Sequence, residues 1–134
     1  MRIESRVGKI RDNEDKIFTF LSDLNNLEPL VPKEKLTSWE FNRDNCKLGI
    51  AGLGEIELIV IEREPHNLIK LGSGHDSPYS FTLWIQLKQT AEADTRTRLT
   101  LDADLNPFLQ MMAQKPLQQF IDTLVEQMGK IKFS

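Results

Sequence analysis

Phe81-Thr82-Leu83-Trp84-Ile85-Gln86-Leu87-Lys88, the short turn Ala91-Glu92-Ala93-Asp94, and then Arg98-Leu99-Thr100-Leu101-Asp102-Ala103-Asp104-Leu105 decide the fold. Each octet alternates apolar and polar side chains, or nearly so, which is the period of a strand with one buried face. A connection this short joins antiparallel neighbours, because a parallel pair needs a long crossover. Directly afterwards, Asn106 can cap a helix and Pro107 suits its first position. Pro116 lacks an amide hydrogen and crowds the carbonyl of Met112, so a break or kink between two helical pieces is expected there. Beyond it Leu117, Phe120, Ile121, Leu124, Val125, Met128 and Ile131 recur as a broad helical stripe.

Working outward, the strand pattern reaches back to Leu36. Trp39 and Phe41 share one phase, as do Cys46, Leu48 and Ile50, and then Ile56, Leu58 and Val60. Ile59 and Ile61 fill the opposite phase, which suggests cover on both faces of that strand. Polar and glycine clusters at Arg43-Asp44-Asn45, Gly52-Leu53-Gly54, Pro65-His66-Asn67 and Gly72 to Pro78 supply turns. At the start of the chain Ile3, Ser5 and Val7 share a phase and read as a half-buried strand. Asp12 or Asn13 can accept hydrogen bonds from the free amides of a helix that follows, with Ile17, Phe20, Leu21 and Leu24 on its apolar side. Leu27 to Pro32 reads as a second short helical turn bounded by prolines.

This order predicts an α+β fold. A curved antiparallel sheet of about seven strands wraps around a long C-terminal helix, with one or two short helices after the first strand. A curved sheet and a straight helix do not mate perfectly, so a cavity between them is expected.

At 134 residues the chain has the length of one domain, spanning 1–134. Hydrophobic residues at 40% and charged residues at 28% indicate a folded core rather than a disordered chain. Lys+Arg of 17 against Asp+Glu of 20 leaves a net charge of −3, which argues against non-specific binding to nucleic acid or anionic membranes. The single cysteine, Cys46, excludes an internal disulfide and a cysteine-based zinc site. No apolar run approaches the roughly 18 residues of a membrane span. The first residues, charged and alternating, do not read as a secretory signal. A cytoplasmic location is the expectation, with no cofactor and no metal.

Phe20-Leu21-Ser22-Asp23-Leu24-Asn25-Asn26-Leu27, followed by Pro32, resembles the leucine–small–aspartate segment that ends the first helix of small bacterial members of the START-like superfamily. Lys115-Pro116-Leu117-Gln118-Gln119-Phe120 is similar to the start of their terminal helix. This superfamily, also called SRPBCC or Bet v 1-like, includes lipid-transfer domains, polyketide cyclases and aromatase-like enzymes. The resemblance covers essentially the whole chain and implies the helix-grip fold, with an apolar cavity for a lipid, sterol, quinone or polyketide. It carries no fixed catalytic signature, so no catalytic residue follows from it.

Strand phase and helical stripe together nominate the cavity wall: Ile56, Leu58, Val60, Phe81, Leu83, Leu99, Leu101, Met112, Leu117, Phe120, Ile121 and Leu124. Met111, Met112 and Met128, near Phe108 and Phe120, could repack around varied ligands, against the plainer reading of ordinary core. His66 and His75 lie in turns, and although His75-Asp76 pairs a base with an acid, neighbours in an extended segment point apart. The glycine clusters precede strands rather than helices, so they read as hairpin turns rather than phosphate cradles. Arg96 and Arg98 share a face with Asp102 and Asp104 and read as solvated, as do Glu55 and Glu57. Trp84, out of phase with its apolar neighbours, faces outward and nominates the outer sheet face for a homodimer or protein partner.

The leading expectation is non-catalytic binding or transport of a hydrophobic small molecule. One rival is a cyclase or dehydratase acting on a hydrophobic substrate, favoured by a polar residue deep in the cavity. The other is a protein-interaction module, favoured by a cavity too small for a ligand.

Overall fold

The computed structural model describes residues 1–75 and 77–132. Eight strands form one antiparallel sheet: β1 (Arg2–Glu4), β2 (Gly8–Ile10), β3 (Leu36–Phe41), β4 (Asn45–Ile50), β5 (Gly54–Glu64), β6 (Leu68–Ser73), β7 (Ser80–Ala91) and β8 (Asp94–Asp104). The strand order is β1-β8-β7-β6-β5-β4-β3, with β2 also pairing β8. Helix α1 (Glu14–Leu21) and 3₁₀ turns at Leu24–Leu30 and Lys33–Lys35 separate β2 from β3, and helix α2 (Pro107–Met128) is the last element among the described residues. α1 packs against β6 and β7, and α2 against β1, β2 and β8.

The extra strand arises at the start of the chain. β1 runs with Glu4 opposite Thr100, whereas β2 begins with Gly8 opposite Thr97. Three residues on this side therefore face two on β8, and the one surplus residue makes a bulge. Ser5 bridges the irregularity: its amide donates to the Leu99 carbonyl at 2.8 Å, and its hydroxyl accepts from the Leu99 amide at 2.9 Å. The bulge breaks the expected phase, so Ile3 and Ser5 are buried but Val7 is exposed.

Several other expectations need correction. Asn13 does not cap α1 through its side chain; its Oδ1 accepts instead from the Ala93 amide and Gln89 Nε2. The Gln89 side chain accepts from the first amide of α1, Glu14, at 2.9 Å, so the β7–β8 hairpin caps the helix. α2 runs unbroken through Pro116. The proline lies on the exposed side, where water can serve the carbonyl it orphans. β5 is not covered on both faces: Ile61 is exposed and Ile59 half-buried. Glu57 is half-buried rather than solvated, with its amide on the Ser77 hydroxyl and its carboxylate accepting from Asn45 Nδ2 at 3.2 Å.

The junction after α1 is held by Arg63 of β5. Its guanidinium donates to the Ser22 carbonyl at 2.7 Å and to Asp44 at 2.7 Å. Asp23 accepts from the Asn25 amide at 3.0 Å and starts the 3₁₀ turn. Leu24, Leu27 and Leu30 of that turn are buried, so this polar-looking segment adds an apolar wall to the core.

Candidate functional site

α2 crosses the concave face of the sheet, and the space beneath it changes along its length. Near its C-terminal end, Val125 and Met128 are fully buried. A β-carbon on Gly8 would collide with Cγ1 of Val125, and one on Gly129 would stand 3.0 Å from the Lys9 carbonyl. Helix and sheet are therefore in direct contact there. Under the middle of the helix, from Leu117 to Leu124, they part, leaving a cavity of about 70 Å³.

β4, the β4–β5 turn and the start of β5 contribute Leu48, Ile50, Leu53, Ile56 and Leu58 to its wall, and β7 and β8 contribute Phe81, Leu83, Leu101 and Ala103. Tyr79 and Leu105 close one side, while Leu117, Phe120, Ile121 and Leu124 come from α2. The exposed wall surface is apolar, and Tyr79 is the one wall residue with a polar atom in its side chain. β-strand alternation explains the set: Phe81 opposite Ala103 and Leu83 opposite Leu101 present their side chains to the same face. Ile50, Leu117 and Phe120 also line an adjoining surface depression of about 210 Å³, together with Lys35, Ala51 and Pro116. The shared residues make this depression the candidate mouth of the cavity, between the β4–β5 turn and the middle of α2.

Nine of the twelve nominated wall residues meet at this cavity: Ile56, Leu58, Phe81, Leu83, Leu101, Leu117, Phe120, Ile121 and Leu124. Three lie elsewhere. Met112 is 54% exposed, because the buried helical face runs through Ala113, Leu117, Ile121 and Leu124 and position 112 lies about 100° away from Ala113. Leu99 faces inward but pairs with Ile85 farther along β8, where both are fully buried in solid core. Val60 packs against the core at a register shift in β5 and does not reach the cavity. Leu48, Ile50, Leu53, Tyr79, Ala103 and Leu105 were not nominated, although the phase of Leu48, Ile50, Ala103 and Leu105 carried the signal.

The remaining candidates occupy other places. Met128 is buried in the packed end, while Phe108 and Met111 stand exposed near the start of α2. His66 sits in a turn with a left-handed backbone (φ 72°) and its ring lies 6.0 Å from that of Phe18. His75 is exposed in its turn, and the pairing with Asp76 lies outside the described residues. Trp84 is on the outer face, half-covered by the Arg2 guanidinium at 5.4 Å and the Lys70 ammonium at 5.8 Å. Arg98 pairs with Glu4 at 2.9 Å and Arg96 with Asp94 at 3.1 Å on that face.

Electrostatics hardly touch the cavity. Cys46 lies one inward position beyond Leu48, and burial, with the Glu57 charge adding to it, pushes its thiol from 9.0 to about 12. The Arg96 guanidinium lowers the Asp94 carboxyl, far from the cavity. A wider indentation between α1 and Arg43 is open and lined by charges of both signs, including Asp15, Lys16 and Asp23. Among the described residues no cluster of histidine, cysteine and carboxylate side chains could hold a metal, and no helix is long and apolar enough to cross a membrane.

An open antiparallel sheet gripping a terminal helix over an apolar cavity is the START-like helix-grip fold, and this chain has it. A START superfamily protein of Mycobacterium smegmatis superposes with a TM-score of 0.68 at 9% identity, over 98% of this chain and 99% of the other. A Thermus thermophilus protein gives 0.73 at 17% identity, over 97% and 95%. The XoxI protein of Bacillus cereus gives 0.73 at 10% identity, over 96% and 93%. No protein-family model matches the chain, and no curated protein matches its sequence.

Proposed function

We propose that this protein binds a hydrophobic small molecule, without reacting it, in the cavity between the sheet and α2. The observation that carries this reading is the wall itself. It is apolar apart from the Tyr79 hydroxyl, and Ile50, Leu117 and Phe120 belong both to it and to a surface depression beside it. Natural cores are packed to the density of organic crystals, so an unfilled apolar gap is a cost that ligand binding would offset. Among the described wall residues the Tyr79 phenol is the one group able to move a proton, with no carboxylate, imidazole, amine or thiol beside it. That favours a carrier or sequestering role over the cyclase or dehydratase alternative.

The resting volume limits the ligand. At about 70 Å³ the cavity is well under the roughly 300 Å³ at which pockets for drug-sized molecules begin. A lipid, quinone or polyketide therefore enters by parting the β4–β5 turn from the middle of α2. This small volume is also the one observation that favours the interaction-module reading.

Native mass spectrometry of the protein purified from its own host tests the proposal. A lipid-like mass retained under native conditions and lost on denaturation is expected. The native protein should also take up anilinonaphthalene sulfonate saturably and release it to fatty acids or quinone-like molecules. No added mass and no saturable dye uptake would transfer the reading to the interaction module.

A further inference from the structure

Four residues of α2 at intervals of four, Phe108, Met112, Pro116 and Phe120, form one ridge. An i, i+4 row drifts about 40° around the helix per step, so the ridge begins in solvent and turns inward. Phe108 is 66% exposed and Met112 54%, Pro116 forms part of the cavity mouth, and Phe120 reaches the cavity. Met111 beside them is 79% exposed. Three large apolar side chains thus stand in water at one end of a continuous apolar track that leads to the mouth. Scattered apolar exposure is ordinary; a contiguous run that ends at a cavity is not.

The charge around this track differs from that of the whole chain. α2 has no acidic residue before Asp122, and its first cation is Lys115, exposed one position before Pro116. Across the mouth, Lys35 is exposed and donates to Gln119 Oε1 at 3.2 Å. Lys33 lies on the same turn, with Glu34 as the acid between them. The tip of the β4–β5 turn, Ala51-Gly52-Leu53-Gly54, is uncharged. A net charge of −3 speaks for the surface average; this rim carries an apolar centre flanked by Lys35 and Lys115, with Glu34, Glu55 and Asp104 as the exposed acids nearest in sequence, and the lysine stems can lie along a bilayer while their ammonium groups reach its headgroups.

From these features we infer that the start of α2 and the cavity mouth dock on an anionic lipid bilayer. Phe108, Met111 and Met112 enter the interface, and Lys35 and Lys115 meet the lipid phosphates. The inference builds on the ligand-binding reading, since docking would bring the mouth against an apolar phase and let a hydrophobic molecule pass without crossing water.

Flotation with vesicles of phosphatidylcholine alone, and with about one third phosphatidylglycerol, tests it. The native protein should partition onto the anionic vesicles and lose that partition in high salt. The triple variant Phe108→Ser, Met111→Ser, Met112→Ser should partition about tenfold less, because the inserted apolar area is gone. Its exposed positions leave the core intact, so its melt and its saturable dye uptake should match the native protein. Lys35→Gln with Lys115→Gln should weaken binding to the anionic vesicles roughly tenfold and hardly change the weak binding to neutral ones. Three results would overturn the docking face: no partition of the native protein, equal partition of the triple variant, or a native dimer that the triple variant turns into a monomer. Dye uptake without vesicle binding removes this inference and leaves the ligand reading standing, whereas vesicle binding without dye uptake does the reverse.

Discussion

Beneath α2 the sheet meets the helix in two different ways. At the C-terminal end, Gly8 and Gly129 bring backbones together, and Ile85, Leu99, Val125 and Met128 fill the space completely. Under the middle of the helix, from Leu117 to Leu124, larger side chains on both surfaces still leave an apolar gap. The strands are continuous through both regions, and so is the helix. What differs is the separation. The C-terminal end is fixed by missing side chains that allow close approach, and the middle is left where the curl of the sheet draws it away from a straight helix. Stability resides in the first region, and room for a ligand in the second.

Leu99 and Leu101 make the sharpest test, since they are the same residue two positions apart on one strand face. Leu99→Ala should cost about 2–5 kcal/mol, because it empties a filled site. Leu101→Ala should cost about 1 kcal/mol less, since part of that side chain already faces the gap. Equal losses in a denaturant melt would erase the distinction between the two regions.

Gly8→Ala attacks the close approach itself. Its new methyl group meets Cγ1 of Val125, so that side chain or α2 itself must shift, at a cost of about 1–3 kcal/mol. A melt unchanged from the native protein would show that the packed end has slack.

Cys46 gives a pH signature. Its folded thiol titrates near 12, against 9.0 for the free group, so the fold favours the neutral form. The stability this provides is complete below pH 9 and declines as pH rises toward 12, by at most about 1.4 kcal/mol per unit. Comparison of native and Cys46→Ala melts between pH 8 and 11 should show a shallower decline in the variant. Parallel curves would place the thiol in contact with water.

The smallest effect is expected at the Arg6–Glu126 pair, 2.6 Å apart and about half exposed on both sides, which spans β1–β2 and α2 at the packed end. Glu126→Gln should change stability by less than about 1 kcal/mol, with the difference vanishing in high salt.

Sheet and helix were legible because β7, β8 and α2 carry the strand and helix periods over many residues, although Pro116 suggested a break that α2 does not have. The cavity was legible as a face but not as a place. Alternation says that Leu99 and Leu101 point the same way; it does not say where along β8 the helix stops touching the sheet. Met112 was misread because apolar character was weighed above helical phase, although the small Ala113 marked the buried face. The bulge after Glu4 left no pattern, since one surplus residue changes register without changing composition. The cap of α1 by Gln89 joins positions 75 residues apart, a distance no local motif spans.

Methyl-resolved NMR during titration with 1-octanol tests the central claim most directly. The account predicts saturable shifts at Leu101, Leu117 and Ile121, with Ile85, Leu99 and Val125 unmoved. Shifts spread evenly over both groups, or none at the first group up to the solubility limit of the alcohol, would contradict it.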